Sequence, residues 1–298
     1  MPLDSVIDSR ESFLDYLLLD VFTDTPFQGN PLAVFPEAGA LSTRTMQRVA
    51  CELNLSETAF LAATAMPGIF TLRIFTPHQE LPFAGHPTIG AAWLLRDIGW
   101  HDDQTPLVLR EQVGEVPIRF DGEHAWLSTP GPLSIEPSPL SRSSAAALLG
   151  LSPERLIGEP VVGATCGSPF HLIGLSCVEA LGEVRANPAL LPTALKGEHG
   201  ANVYLYVEES DSSLRTRKLR ISDQVVEDPA TGSAAAPLAG YLAGQSSGTG
   251  TLEYMIQQGL EIGRPSRIGV LVDKTAQQIT AIHVGGAAVI IGEGRLRL

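Results

Sequence analysis

Cysteine is scarce in this chain of 298 residues, and the few cysteines present lie far apart. There are three, Cys51, Cys166 and Cys177, and no two of them have the CxxC spacing of a zinc ribbon or a redox dithiol. A sparse and odd number of cysteines is typical of proteins from a reducing compartment. We therefore expect a cytoplasmic protein.

Long apolar runs are also missing. No stretch approaches the roughly 18 consecutive apolar residues that a membrane-spanning helix requires. Residues 1–14 contain Asp4, Asp8 and Glu11, and they lack both a basic segment and a long apolar one. These residues are therefore not expected to form a signal peptide, and no association with a membrane is predicted.

The common cofactor signatures do not occur either. The sequence has no GxxxxGK[ST], GxGxxG or HExxH motif, and its seven histidines show no recognised metal-ligand spacing. None of the three lysines lies in an apolar strand that would favour a Schiff base, which argues against a pyridoxal phosphate enzyme. We expect neither a metal nor another cofactor.

Basic residues are few compared with acidic ones. The chain has 20 Lys and Arg against 33 Asp and Glu, which gives a formal net charge of −13 and a sequence pI near 4.9. Such a chain repels phosphate backbones, so nucleic acid is not an expected partner. A small anionic substrate remains possible, because backbone N–H groups at a helix start can hold a carboxylate inside an acidic protein.

A buried core is expected, since 44% of the residues are hydrophobic and 18% are charged. Three helices are predicted, at 43–53, 87–98 and 233–243, from apolar spacing, capping residues and small side chains. Runs rich in β-branched and aromatic residues predict strands at 16–22, 71–75, 107–109, 116–120, 203–207, 268–272, 279–284 and 288–291.

The chain contains a weak internal repeat with an offset of about half its length. PFAGHPTIGAAWLL from Pro82 aligns with PATGSAAAPLAGYL from Pro229, so that Gly85 meets Gly232. One interpretation is chance among common small residues. The other is two half-domains of one topology, 1–132 and 133–298, with C-terminal residues that may cross over and a ligand site in the cleft between the halves.

Both repeated stretches place a glycine turn before a helix whose first residues are small. Such a turn leaves backbone N–H groups unpaired at the helix start. Two starts that face each other would grip an anion from both sides, and their dipoles would favour negative charge on a substrate. Gly85 and Gly232 are therefore candidate substrate-binding residues, although close packing is the ordinary role of such glycines.

Four polar residues are candidates for chemistry. Glu57 follows the first predicted helix and precedes an apolar run, and partial desolvation suits a carboxyl group to act as base and acid near neutral pH. Its ordinary role would be a solvated strand-edge residue. His86 could donate to a substrate oxygen, or simply occupy a turn.

Asp228 and Ser233 carry two interpretations as well. Asp228 could orient His86 or bind substrate, or it could form an Asx turn before the helix. Ser233 could place its hydroxyl on substrate or act as an N-cap. No GxSxG elbow surrounds Ser233, so a nucleophilic serine is not expected.

Together these stretches resemble the PhzF family of phenazine-biosynthesis isomerases. The matching pieces are DVFTDTPFQGNPLAVF, NLSETAF, RIFTPHQELPFAGHPTIGAA, VVEDPATGSAAAPLA and QGLEIGRPSRI. The resemblance implies an α+β fold like that of diaminopimelate epimerase, in which each half is a curled, mostly antiparallel sheet or barrel around a central helix. It also implies a homodimer.

The resemblance further implies a metal- and coenzyme-independent isomerisation of a small carboxylate-bearing molecule such as a dihydro-hydroxyanthranilate. It assigns the catalytic glutamate to Glu57, the histidine to His86, and the aspartate and serine to Asp228 and Ser233. Neither repeated stretch contains a cysteine, so an epimerase with two thiols is disfavoured. An epimerase with other bases and a non-catalytic metabolite-binding protein remain alternatives.

One stretch departs from the family pattern. KLRISDQ, 218–224, replaces the aromatic residue and proline that family members often have before the second motif. If this strand borders the ligand, then the substrate differs from the phenazine intermediate. Lys218 or Arg220 could meet an acidic ligand there, or both could face solvent.

Overall fold

The computed structural model describes residues 13–102, 104–165, 169–196, 200–276 and 278–298. Cys166 and residues 1–12, which include most of the segment considered above as a signal peptide, lie outside the described residues. No helix in the described ranges is both long enough and apolar enough to cross a membrane.

The first helix has the bounds that its capping residues predict. Ser42 is the N-cap, and its hydroxyl accepts a hydrogen bond from the Thr45 N–H. Asn54 ends the helix in the left-handed conformation at φ 50°. The α-helices of the described residues are α1 (Thr43–Leu53), α2 (Gly85–Asp97), α3 (Arg142–Leu149), α4 (Val178–Glu183) and α5 (Gly232–Gln245).

The two glycine turns start their helices earlier than predicted. Helix α2 begins at Gly85 and α5 at Gly232, so both glycines are the first helical residues and keep the sequence offset of the repeat. Ser233 is therefore not an N-cap, because that position is held by Thr231. Most residues of both helices are buried, as expected for central helices with small side chains.

The strands form one hydrogen-bonded sheet within the described residues. They are β1 (Phe13–Val21), β2 (Asn30–Phe35), β3 (Thr58–Ala63), β4 (Ile69–Phe75), β5 (Glu80–Leu81), β6 (Leu107–Glu111), β7 (Gly114–Asp121), β8 (His124–Ser128), β9 (Ser134–Pro137), β10 (Leu156–Ala164), β11 (Phe170–Leu175), β12 (Ala201–Ser210), β13 (Ser213–Ile221), β14 (Val225–Asp228), β15 (Gly250–Gln258), β16 (Ser266–Lys274), β17 (Ile279–Gly286) and β18 (Ala288–Arg297).

All eight predicted strands are present, with one shortened end. The predicted run 16–22 stops at Val21, because Phe22 has φ 65° and leaves the extended conformation. Most pairings are antiparallel, and β2–β3, β4–β6, β11–β12 and β13–β15 are parallel. The fold is the expected α+β type with a curled, mostly antiparallel sheet.

The last strands of the chain return to the first ones. Strand β18 pairs with β1 along its length, and β17 pairs with β8. The largest hydrophobic cluster contains side chains of both α2 and α5, while two smaller clusters lie under α1 and under α3 and α4. The half-domain bounds 1–132 and 133–298 stay a prediction.

Candidate active site

The starts of α2 and α5 lie against each other. A Cβ atom placed on Gly85 would be 3.5 Å from the Ser233 backbone nitrogen and 3.6 Å from the Gly232 Cα. Both starts therefore present their first N–H groups in the same small region, where the two positive helix ends add. This is the juxtaposition that the repeated glycine turns predict, and we refer to the two adjacent helix starts as the candidate anion cradle.

Glu57 and His86 lie at this junction. Glu57 stands immediately before β3, and its side chain is 20% exposed, so it is not in bulk water. His86 is the second residue of α2, and its side chain is 7% exposed. The Nε2 atom of His86 is 3.7 Å from Oε2 of Glu57.

The distance between these two groups is longer than a hydrogen bond. Among the described residues, buried Nε2 of His86 has no hydrogen-bond partner. A buried polar atom without a partner carries a free-energy cost that a ligand atom would remove. The pair therefore places a carboxylate beside a buried imidazole nitrogen that has no hydrogen-bond partner among the described residues.

Asp228 helps to hold the segment that leads into α5, and none of its described contacts is with His86. Its Oδ1 accepts from the Asn30 side-chain amide at 3.0 Å, and its Oδ2 accepts from the Thr231 hydroxyl. Its backbone carbonyl accepts from Gln258 Nε2 at 2.7 Å. Both side-chain oxygens of Asp228 thus accept from side chains, and these bonds hold the loop that carries Gly232 and Ser233.

Asn30 connects the two sides of the site. This side chain is fully buried, and its amide donates to Asp228 and, at 2.9 Å, to the Ala230 carbonyl. Its Oδ1 accepts from the Ser56 hydroxyl at 3.3 Å, next to Glu57. A single amide therefore ties the segment that carries the candidate base to the loop that begins α5.

The network continues into the interior through residues that the sequence reasoning missed. Gln258 is fully buried, and its Oε1 accepts from the Thr231 N–H at 3.2 Å and from the Tyr204 hydroxyl at 3.1 Å. Thr216 donates in turn to Tyr204 at 3.1 Å. Asn30 and Gln258 both lie next to a glycine in the quoted family stretches, and this was the one available signal for them.

An ion pair holds the segment between β1 and β2 against the distant loop before β16. Arg264 donates to the fully buried Asp20 carboxylate at 2.6 Å. It also donates to the backbone carbonyls of Gly29 at 3.0 Å and Gln28 at 2.8 Å. The segment before Asn30 is thereby fixed, which helps to hold Asn30 in place.

Lys218 lies on the same sheet face as Asp228. The two residues stand directly opposite each other in the antiparallel pairing of β13 and β14, and opposite residues share a face. Lys218 is half-buried, and Arg220, two residues further along, is exposed. Of the two cations considered above, Lys218 is therefore the one that lies directly opposite Asp228.

The arrangement combines an anion cradle with a carboxylate and an imidazole. Such a set suits the transfer of a proton at a carbon next to a bound carboxylate, because the helix starts stabilise the negative charge that develops. Within the described residues, no cluster of three or more His, Cys, Asp or Glu side chains could hold a metal ion.

Comparison with known proteins identifies close relatives. Residues 19–294 match the model of the phenazine biosynthesis-like proteins, PhzC-PhzF. An uncharacterized isomerase of Mesorhizobium japonicum is 37% identical, with 95% of this chain and 98% of the relative covered. The trans-2,3-dihydro-3-hydroxyanthranilate isomerase of Pseudomonas aeruginosa is 35% identical, with 95% and 99% covered.

Solved structures agree with this fold. A PhzF-family phenazine biosynthesis protein of Bacillus anthracis superposes with a TM-score of 0.85 at 24% identity, covering 96% of this chain and 99% of that one. A hydroxyproline epimerase of Agrobacterium vitis superposes with a TM-score of 0.62 at 14% identity, with 96% and 93% covered. The latter shows a shared epimerase-like fold alone.

Proposed function

Because this chain belongs to the PhzC-PhzF family of phenazine biosynthesis-like proteins and is an isomerase, we propose that it moves a proton on a small carboxylate-bearing metabolite, with Glu57 as general acid and base. The observation that carries the proposal is the position of Glu57. Its partly shielded carboxylate lies 3.7 Å from the unpartnered Nε2 of buried His86, beside two touching helix starts.

The proposed reaction needs no oxidant or other reactant. Glu57 takes a proton from a C–H bond, whose electrons form a new double bond within the substrate. The electrons of the existing double bond take the proton back from Glu57 at another carbon. Acid–base help of this kind contributes on the order of 10²–10⁴ in rate.

The remaining site residues hold the substrate in this scheme. The N–H groups at the Gly85 and Gly232 turns bind the substrate carboxylate or developing oxyanion. Ser233, half-buried in the first turn of α5, offers a hydroxyl at the same place. His86 donates to a substrate oxygen, and Asp228 acts by fixing the α5 approach loop. Lys218 adds positive charge on the same sheet face.

The relatives support the substrate class that we propose. The Pseudomonas aeruginosa relative is a trans-2,3-dihydro-3-hydroxyanthranilate isomerase, and we propose a related unsaturated carboxylate for this chain. The KLRISDQ strand, with Lys218 opposite Asp228, is where we expect substrate preference to differ. We further propose that the protein is cytoplasmic and forms a homodimer. Light scattering after size exclusion would test the oligomeric state.

The test follows proton movement directly. The protein is incubated in D₂O with trans-2,3-dihydro-3-hydroxyanthranilate and with a panel of unsaturated amino and hydroxy acids, and C–D formation is followed by NMR. We expect exchange with at least one acid, and a loss of about 10²–10⁴-fold in Glu57→Gln. Glu52→Gln, an exposed glutamate on α1, is the matched control and should exchange normally. Full activity in Glu57→Gln would refute the assignment.

Epimerisation, which the epimerase-like fold makes the nearest alternative, gives a different result in the same experiment. It requires a second base across the substrate from Glu57. Asp228 is the carboxylate on the α5 side, and both of its oxygens already accept hydrogen bonds. Inversion of a stereocentre in the NMR spectra would favour epimerisation, and binding without any exchange would favour a non-catalytic protein.

A further inference from the structure

Glu111, the last residue of β6, lies beneath the first turn of α2. The Thr88 hydroxyl oxygen is 2.8 Å from Oε1 of Glu111 and also 2.8 Å from the carbonyl oxygen of Ala84. Ala84 is the N-cap residue of α2 and has no side-chain cap, and its carbonyl also accepts from the Thr88 N–H at 3.2 Å. Glu111, Thr88 and Ala84 thus form a hydrogen-bonded row. The row ends at Ala84, the residue directly before Gly85 and His86.

The row can be hydrogen-bonded in two ways, which differ in the protonation state of Glu111. The Thr88 hydroxyl has one hydrogen to donate, and the Ala84 carbonyl has none. If Thr88 donates to Ala84, then the short contact to Glu111 requires that Glu111 supply its own proton. A protonated Glu111 satisfies both contacts, whereas an ionised one would take the hydrogen of Thr88 and leave the Ala84 carbonyl with the backbone bond alone.

The second carboxyl oxygen supports the same state. Within the described residues, Oε2 of Glu111 is buried and has no hydrogen-bond partner. An unpaired oxygen is far more costly in a buried carboxylate than in a neutral acid. Burial accordingly raises the pKa of Glu111 to about 8, against a smaller opposing effect of the Thr88 bond.

Two arginines, one on β6 and one on the neighbouring strand β4, are each paired with a glutamate. Arg73 on β4 pairs with Glu80 on β5 at 2.7 Å. Arg110 on β6 itself pairs with Glu115 on β7 at 3.0 Å. The other titratable or charged residues of α2 and β7 are His86, Arg96, Asp97, Arg119 and Asp121.

We propose that Glu111 is a positioning residue: as a neutral carboxylic acid it donates to Thr88, which donates to the Ala84 carbonyl and so holds the start of α2, with Gly85 and His86, in the working arrangement. The role in turnover rests on the function proposed above. Loss of the proton turns the Thr88 hydroxyl toward Glu111, leaves the Ala84 carbonyl with only its bond from the Thr88 N–H, and places a buried charge under the helix start.

The first test compares pH profiles of turnover with trans-2,3-dihydro-3-hydroxyanthranilate. Between pH 7 and pH 9 we expect kcat of the wild type to fall about tenfold, the fraction by which a group of pKa about 8 loses its proton. Glu111→Gln keeps an N–H donor for Thr88 without an ionisable proton, so it should be active at pH 7 and lack this loss. Glu115→Gln, an exposed carboxylate on the neighbouring strand, should behave as wild type.

Two further variants distinguish a loss of activity caused by a displaced helix start from one caused by misfolding. Thr88→Ser keeps the hydroxyl and should keep activity, whereas Thr88→Val removes the hydrogen-bond relay and should lower kcat more than it raises KM. The proposal is overturned if Glu111→Gln shows the alkaline loss of the wild type, or if Thr88→Val and Thr88→Ser are equally active.

The second test does not depend on turnover. An infrared band of a protonated carboxylic acid should be present at pH 6.5, disappear with a midpoint near pH 8, and be missing from Glu111→Gln. Its absence in the wild type at pH 6.5 would overturn the proposal even if the enzyme is active. Its presence would support a neutral Glu111 even if the probe substrate is not turned over.

Discussion

The two helix starts that form the candidate site occupy equivalent positions in the repeat and are secured in opposite ways. The approach to α5 is held by a dense network in which Asp228, Thr231, Gln258 and Asn30 bond to one another. The start of α2 is supported by a short row through Thr88, and it presents a buried histidine nitrogen without a partner.

This contrast separates a structural role for the α5 side of the site from a chemical role for the α2 side. Buried polar groups that are fully bonded stiffen a site, because breaking any one bond leaves another group unsatisfied. The α5 side therefore has the character of a fixed cradle. The α2 side keeps bonding capacity at His86 and a titratable acid at Glu111, which is where chemistry and pH sensitivity are expected.

The largest effect on stability should come from breaking the network at its centre. Asn30→Ala leaves Oδ1 of Asp228 and the Ala230 carbonyl without the donor that bonds them, so we expect a loss of about 3 kcal/mol in the free energy of unfolding. Urea unfolding followed by circular dichroism measures it. Ser56→Ala removes only the 3.3 Å bond from an exposed residue and should cost less than about 1 kcal/mol. Equal losses in the two variants would show that the network does not stiffen the α5 side.

The second effect is a pH dependence of stability that belongs to the α2 side. The pKa of Glu111 is raised from its ordinary value of 4.5 to about 8 in the folded chain. Between these values the folded state holds a proton that the unfolded state has lost, so stability falls as pH rises from about 4.5 to about 8. The contribution is on the order of a few kcal/mol, since the group is buried.

Thermal unfolding of the wild type and Glu111→Gln at pH 5 and pH 8.5 measures this term. The difference between the two proteins should shift in favour of the variant at the higher pH, while other acids cancel in the comparison. Parallel pH curves for the two proteins would show that Glu111 titrates normally and would remove the contrast.

The smallest expected change in stability distinguishes Gly85 from Gly232, the first residues of α2 and α5. A Cβ on Gly232 would lie 3.2 Å from both the Phe22 ring and Val284, so Gly232→Ala should cost about 1–2 kcal/mol by overpacking. A Cβ on Gly85 meets its nearest atom at an ordinary 3.5 Å, so Gly85→Ala should keep its stability within about 0.5 kcal/mol.

Ligand binding should rank the same two variants differently. The methyl group of an alanine at position 85 would lie between the two helix starts. Gly85→Ala should therefore weaken the binding of anthranilate despite normal stability, and calorimetry measures this affinity. Unchanged affinity in Gly85→Ala would place the anion outside the cradle.

Local signals in the sequence predicted much of the fold. The bounds of α1 follow from the Ser42 cap and Asn54, and the starts of α2 and α5 preserve the offset of the repeated glycine turns. Glu57 and His86 lie 3.7 Å apart in the fold, and the catalytic roles that the family resemblance implied for them stay a prediction.

The rest depends on contacts between distant residues, which no local pattern encodes. Asn30 and Asp228 are 198 residues apart, and Arg264 meets Asp20 across 244 residues. Glu111 precedes a turn and resembles a solvated strand end in the sequence. Its burial arises only when α2 packs over β6, so its role became visible with the fold.

The most direct measurement of the central claim is a crystal structure of Glu57→Gln with bound trans-2,3-dihydro-3-hydroxyanthranilate. We expect the substrate carboxylate to accept hydrogen bonds from N–H groups at the Gly85 and Gly232 turns. The side chain at position 57 should lie within about 3.5 Å of the carbon that loses its proton. A ligand held elsewhere, or a side chain at position 57 that points away from it, would contradict the account.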